Sequence, residues 1–367
     1  MVLEEAGMEF KPDWDSAKRR LAAWWHGEVV DRFVLQVAAP RAERIGPDPP
    51  PLEKPAEVTE RWLDPAYRVG NAERHFASTW FGGEAFPYFD PHLGPGSLAL
   101  YVGSEPVFAD DTVWYQPCLP DLDDRPALRV NPANRWWQAT KALVSEGVRR
   151  GQGRYLTAIP DLIENLDTVA SLRGTAQLLW DLVDHPRPIH ALQREVLEAY
   201  FECYDELYAM VSSVGEGCCF SAFQVWAPGR MAKLQCDFSA MISPAMFEEF
   251  VLPYLSQQCE RLDYSVYHLD GPDAVKHLDL LLSIPRLNVL QWTPGANQPG
   301  VGAEQWFDIY RRARQAEKSL LLAGVHPNEM QRLVETFGPE GLLVSTWVSS
   351  QAEGEELLKA AQTWIAR

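Results

Sequence analysis

The chain is short of basic clusters, of long apolar runs and of organised cysteine, and each shortage removes a class of function. Against 51 Asp and Glu it carries 33 Lys and Arg, a formal net charge of -18, with no basic patch to offset it locally. Nucleic acid and anionic membrane surfaces are therefore not expected as partners. No run of ~18 apolar residues occurs, so no membrane-spanning helix is expected. The acid-rich stretch up to Lys18 reads as neither a secretory signal nor a transit peptide. The six cysteines are scattered apart from Cys218-Cys219. Without a CxxC pair, neither a disulfide framework nor a zinc finger is expected, and a reducing cytoplasm is the simplest location. A P-loop, a GxGxxG after a strand, a GxSxG elbow and an HExxH helix are all absent, which leaves nucleotide-dependent and nucleophilic-hydrolase chemistry without support.

What remains is an apolar content of 46% and 14 tryptophans in 367 residues, ample for one large core and suited to a pocket for a flat or ring-shaped ligand. The run Pro47-Asp48-Pro49-Pro50-Pro51 reads as an irregular surface excursion, and 81–132 is rich in loops. From about 154 onward, short apolar runs alternate with amphipathic helices, the pattern of repeated βα units on a parallel sheet. Strands are predicted at 33–38, 98–103, 154–160, 218–225, 265–270, 287–292, 319–325 and 341–347, with 233–238 as a substitute for 98–103. Eight strands suit a single (β/α)8 TIM barrel over 1–367, in which 1–132 supplies an amino-terminal elaboration and the early units and 133–367 the main repeats. The spacing predicts a helix over 189–211. Ser243-Pro244 and Pro327 mark helix starts, Pro253 a kink, and Ser350-Gln351-Ala352-Glu353 a capping box.

The most informative segment is Ser265-Val266-Tyr267-His268-Leu269-Asp270-Gly271-Pro272. Strand alternation puts Val266, His268 and Asp270 on one face. Two titratable groups then stand at the carboxyl end of a strand, where barrels of this class do their chemistry. They suit two legs of a metal site or an acid/base pair; equally, Asp270 could cap the next helix while His268 is a core residue. Cys236 and His326 are candidates for a third metal leg, against a buried structural thiol and a helix-start residue. Asp161 ends 154–160 as a catalytic carboxylate or as an N-cap. Gln224, Trp226, Gln291 and Trp292 suit pocket walls, with amides to hydrogen-bond and indoles to stack. Gly82-Gly83 allows close backbone approach to a ligand, with Glu84 facing it.

The chain resembles the uroporphyrinogen decarboxylase-like superfamily, best over 154–348. The resemblance rests on Leu172-Arg173-Gly174 through His185-Pro186, on Asp237-Phe238-Ser239-Ala240-Met241-Ile242-Ser243-Pro244, on Tyr267-His268-Leu269-Asp270-Gly271 and on Leu290-Gln291-Trp292-Thr293-Pro294-Gly295. It implies the barrel fold and a methyl (one-carbon) transferase or a decarboxylase. The first would use zinc and possess a corrinoid-protein partner; the second would act on a small carboxylate through His268 and Asp161 without metal. A tetrapyrrole- or sugar-binding barrel is a third reading. The Arg-Gln-Ala-Gly-Arg segment of the true decarboxylases is missing, with Ala17-Lys18-Arg19-Arg20 in a polar helix instead, and so is their Asn-Leu-Gly-His segment. Where the zinc methyltransferases have His-x-Cys and a later Cys, this chain has His268-Leu269-Asp270 and then Ser345 and Thr346. The resemblance thus implies a transferase acting on a small molecule, with an oxygen ligand in place of a thiolate.

Overall fold

Apolar runs and amphipathic helices alternate in this chain to give a mixed α/β fold around a largely parallel sheet. The computed structural model describes residues 7–47 and 51–364; the middle of the Pro47–Pro51 run and the start of the amino-terminal stretch lie outside the described residues. In chain order the strands are β1 (Val34–Pro40), β2 (Thr79–Gly83), β3 (Tyr88–Phe89), β4 (Glu105–Phe108), β5 (Val113–Gln116) and β6 (Leu156–Thr157). They continue with β7 (Cys218–Phe220), β8 (Val225–Ala227), β9 (Met231–Gln235), β10 (Tyr264–Asp270), β11 (Val289–Thr293), β12 (Ser319–Ala323) and β13 (Leu342–Trp347). The main sheet has the order β2-β1-β13-β12-β11-β10-β9. Its neighbours are parallel except β2, which runs antiparallel to β1.

Helices return the chain between the parallel strands: Leu252–Glu260 before β10, Leu278–Leu282 before β11, Phe307–Gln315 before β12 and Pro327–Phe337 before β13. Covered on both faces, such strands are buried along their length, and every residue of β9 is buried. Buried apolar residues from Met8 to Ala361 form one cluster. The helix boundaries follow local chemistry. Ser243 Oγ accepts from Met246 N at 3.2 Å ahead of Pro244. The next helix restarts at Leu252, so Pro253 falls in a first turn, where its missing N–H costs nothing. Ser350 Oγ accepts from Glu353 N at 3.2 Å, while Glu353 reaches back to Ser349 N at 2.9 Å. The helix expected over 189–211 runs from Pro186 to Gly215.

Smaller pairings continue from the sheet. β3 pairs with β6, one parallel bridge joins Ile159 to Phe220, and β7 turns back as the antiparallel β8. Among the described residues no strand ladder joins β7 to β9 or β1 to β3. Other bonds span those places: Cys218 Sγ donates to Met231 O at 3.4 Å, Gln36 Nε2 donates to Gln224 O at 2.6 Å, and Gln224 Nε2 donates to Phe86 O.

One expected strand is absent. The run 98–103 is not a strand: Leu98–Tyr101 form one wholly buried helical turn. A short, wholly apolar run fits a buried helix as well as a buried strand, and only its packing decides. The substitute, 233–238, overlaps a real strand, β9. The other strands lie where expected, with 154–160 and 218–225 shortened to β6 and β7.

β2 delivers Glu84 into a closed polar contact. Its carboxylate is fully buried and accepts from Arg32 Nη1 and Nη2 at 2.6 and 2.9 Å and from Leu35 N at 2.8 Å. Removing one member of such a pair leaves the other charge buried and uncompensated. Glu84→Ala is expected to lower the unfolding free energy by about 3–5 kcal/mol, read by urea denaturation; a loss under about 1 kcal/mol would mean that the pair is solvated.

Candidate metal centre

The register of three parallel strands builds the site. His268 on β10 lies directly between Gln235 on β9 and Gln291 on β11, and one step below, Val266 lies beside Lys233. Directly paired residues of neighbouring strands share a face. Lys233, Gln235, His268, Asp270, Gln291 and Thr293 therefore point the same way, and Tyr267 and Trp292 the other. After Asp270 the chain leaves the sheet through Gly271 at φ 76°, a left-handed turn that glycine makes without strain. After Gln235 it passes through Cys236 into the helical turn Asp237–Met241.

These exits bring three side chains together. Ligand atoms of Asp237, His268 and Asp270 all lie within 4.8 Å of one another. Asp270 Oδ1 is buried and has no hydrogen-bond partner. His268 is held from behind. Its Nδ1 bonds to Gln291 Oε1, and Gln291 Nε2 donates to Trp292 O at 2.8 Å and Thr293 Oγ1 at 3.0 Å. A backbone carbonyl only accepts, so the Gln291 nitrogen must face it and the oxygen must face His268. Nδ1 therefore carries the proton, and Nε2 keeps a free lone pair. Burial, and then the charge of Lys233, hold the His268 pKa below the ordinary histidine value, opposed by the Gln291 bond and the two aspartates. The imidazole is neutral at physiological pH, the form that binds metal. The Phe223 ring lies 5.4 Å from it.

Acidic groups surround the centre. Lys233, almost fully buried, donates to Asp161 Oδ2 at 2.6 Å and also to Gln235 Oε1. Gln235 Nε2 donates to Asp237 Oδ2 at 2.9 Å. Asp167 accepts from Asp237 N and Phe238 N, both at 2.8 Å, and Glu164 accepts from Gln235 N at 2.9 Å. Asp237 is the exposed member of the three converging side chains; partial desolvation still raises its carboxyl, while Asp167 is pushed up by burial and then by Asp237. Burial also pushes Glu164 up to about 8.

The expected residues fare differently. His268, Asp270 and Gln291 meet at the centre, and Asp161 joins through Lys233. Gln224 lies in the turn 221–224, where it and Phe223 have φ of 54° and 62°, and it is tied to Gln36 and Phe86. Trp226 is carried away on the returning β8 and packs edge-on against Trp14, 5.8 Å away. Trp292 faces the helices, 5.1 Å from Trp306. Glu84 is consumed by Arg32. Cys236 is buried near Tyr267, on the far face, and burial pushes its thiol well above the usual range. His326 is exposed and caps the helix Pro327–Phe337, with Nδ1 2.7 Å from Asn328 Oδ1. Asp237, Lys233, Gln235 and Phe223 are additions. The polar residues at 233, 235 and 237, alternating with apolar ones, were the available signal. A separate cavity of 310 Å³ is lined by Phe10, Arg44, Glu73 and Arg150 among others, none of them a candidate residue.

No protein-family model matches the chain, and no curated protein does. Its fold is similar to that of a methyltransferase from Methanosarcina mazei, at 12% identity and TM-score 0.58, over 94% of this chain and 98% of that one. That likeness agrees with the resemblance to the uroporphyrinogen decarboxylase-like group and concerns the fold. An enolase protein from the environmental genome shotgun sequencing of the Sargasso Sea overlaps 57% of this chain and 51% of its own at 10% identity and TM-score 0.25, too low to bear on this chain. Among the described residues no helix is long and apolar enough to cross a membrane.

Glu164 makes stability depend on pH. Between the ordinary glutamate value and about 8, the folded chain keeps a proton that the unfolded chain has released. The associated stabilisation is complete below the ordinary value and is lost as pH rises towards 8. Glu164→Gln cannot ionise, so its unfolding free energy is expected to fall less steeply than the wild type's from pH 5 to 8. Parallel curves by chemical denaturation would contradict the assignment.

Proposed function

We propose that the chain is a methyl (one-carbon) transferase of the uroporphyrinogen decarboxylase-like superfamily. In this reading it is one (β/α)8 barrel with an elaborated amino-terminal region, and its site at the carboxyl ends of β9, β10 and β11 holds zinc. The methyl donor is a corrinoid carried by a partner protein, and the acceptor is a small molecule. The likeness in fold to a methyltransferase supports the class. The observation that carries the site is the convergence of Asp237, His268 and Asp270.

The residues fit a zinc ion. A neutral imidazole presenting Nε2 and two carboxylates are accepted zinc donors, and three protein ligands leave a position open. The unpartnered, buried Asp270 Oδ1 is an acceptor that the fold itself leaves unsatisfied. When bound, zinc would supply Lewis acidity that makes a hydroxyl or thiol of the acceptor easier to deprotonate. Without a thiolate the donor set is hard, and it favours an alcohol or phenol as acceptor.

The chain's own groups do the rest. Gln291 fixes the His268 tautomer, and Phe223 covers one side of the ring and limits water. In the transfer the acceptor loses its O–H proton, and its oxygen bonds to the methyl carbon. A methyl-corrinoid, when bound, would supply that methyl group and would keep the electron pair of the bond it gives up. Asp161 Oδ1 is buried and unpartnered, a carboxylate oxygen open to that proton.

Elemental analysis of unchelated protein is expected to find one zinc per chain, and visible spectroscopy to follow loss of the methyl group from methylcobalamin with a phenol or alcohol acceptor. His268→Ala and Asp270→Ala should lose the metal and at least about 100-fold in rate. Metal-free wild-type protein, or variants at full rate, would sink the reading.

A further inference from the structure

The row of side chains across β9, β10 and β11 contains a second level of organisation. His268 has a glutamine directly on each side, Gln235 and Gln291. Both amides have a fixed orientation. Lys233 Nζ only donates, so the Gln235 oxygen faces it and the nitrogen faces Asp237; Trp292 O only accepts, so the Gln291 nitrogen faces it and the oxygen faces His268. One glutamine thus offers a donor to a carboxylate and the other an acceptor to an imidazole.

We propose that Gln235 and Gln291 are the positioning residues of the centre, Gln291 aiming His268 and Gln235 aiming Asp237, with Lys233 and Asp161 locking Gln235. This rests on the metal reading and deepens it. Gln235 occupies Asp237 Oδ2 and leaves Oδ1 for the ion. Gln291 occupies His268 Nδ1 and leaves Nε2. Lys233 anchors the amide and is itself held by Asp161 Oδ2 at 2.6 Å. Each anchor is buried: Lys233, Gln235 and Gln291 are 4%, 5% and 1% exposed. The two amides are thus shielded from water on their own side, while the Asp237 carboxylate is exposed, so the Gln235 bond is what limits its orientation. Partners of this kind typically account for a 10–100-fold range, roughly, in metal affinity.

The test is zinc titration by calorimetry into full-length protein stripped of metal, with cobalt(II) absorption as a spectroscopic reading of the ligand field. Gln235→Leu, Gln235→Met and Gln291→Leu are each expected to weaken zinc binding by about 10–100-fold and to alter the cobalt spectrum. Metal-free thermal unfolding should stay near that of the wild type for at least one of the two Gln235 variants. Lys233→Met, which frees the Gln235 amide to rotate, should weaken binding in the same direction. Wild-type protein that binds zinc while both Gln235 variants bind it within about twofold would overturn the positioning role alone. Wild-type protein that binds no zinc would overturn the metal reading and this one together.

Discussion

The in-register pairing of β9, β10 and β11 is the constraint on which the site depends. It sets Gln235, His268 and Gln291 side by side in one row, and everything chemical follows from that row. A shift of one residue between these strands would turn every polar group towards the helices and bring Tyr267 and Trp292 inward. The shift is opposed by the apolar residues themselves. Tyr267 and Trp292 are each 1% exposed where they stand, and burying His268 or Gln291 among helices would leave their polar atoms without partners. Hydrophobic packing on the outer face thus maintains the polar order on the inner one.

Electrostatics around the row are strongly one-sided. Asp161, Glu164, Asp167, Asp237 and Asp270 face one lysine and a neutral histidine. Burial favours the protonated form of Glu164 and Asp167, and backbone N–H groups of Gln235, Asp237 and Phe238 donate to the same two carboxyls. In the proposed reading the same arrangement attracts a divalent ion. Lys233 relieves the repulsion locally and, through Gln235, is tied to the Asp237 carboxylate.

Much of this was legible in the sequence, and the misses have physical causes. The strand expected at 265–270 read correctly, one residue short of its start at Tyr264, because apolar and aromatic residues are interleaved with polar ones up to a Gly-Pro turn. Asp237 is legible as part of a motif but not as a member of the centre, because it stands beyond its strand and its nearness to His268 is a three-dimensional fact. Trp226 was misplaced because β7 stops at Phe220 and the chain reverses through Phe223 and Gln224. Positive φ at two ordinary residues leaves no mark in composition. Trp292 was a different kind of error: next to Gln291 on a strand, it must face the opposite way. Glu84 was read as open because Gly82-Gly83 suggested a ligand; the partner is Arg32, distant in sequence. The run at 98–103 shows that apolar composition alone does not separate a buried strand from a buried helical turn.

The proposed zinc centre is built from nitrogen and oxygen alone, with Asp270 where a thiolate would otherwise stand. X-ray absorption at the zinc edge of the loaded protein tests it most directly. N and O neighbours at about 2.0–2.2 Å are expected, with the outer scattering of one imidazole and no sulfur. A sulfur shell at about 2.3 Å would contradict it, because Cys236 or another thiol would then be a ligand and the row described here would not be the metal centre.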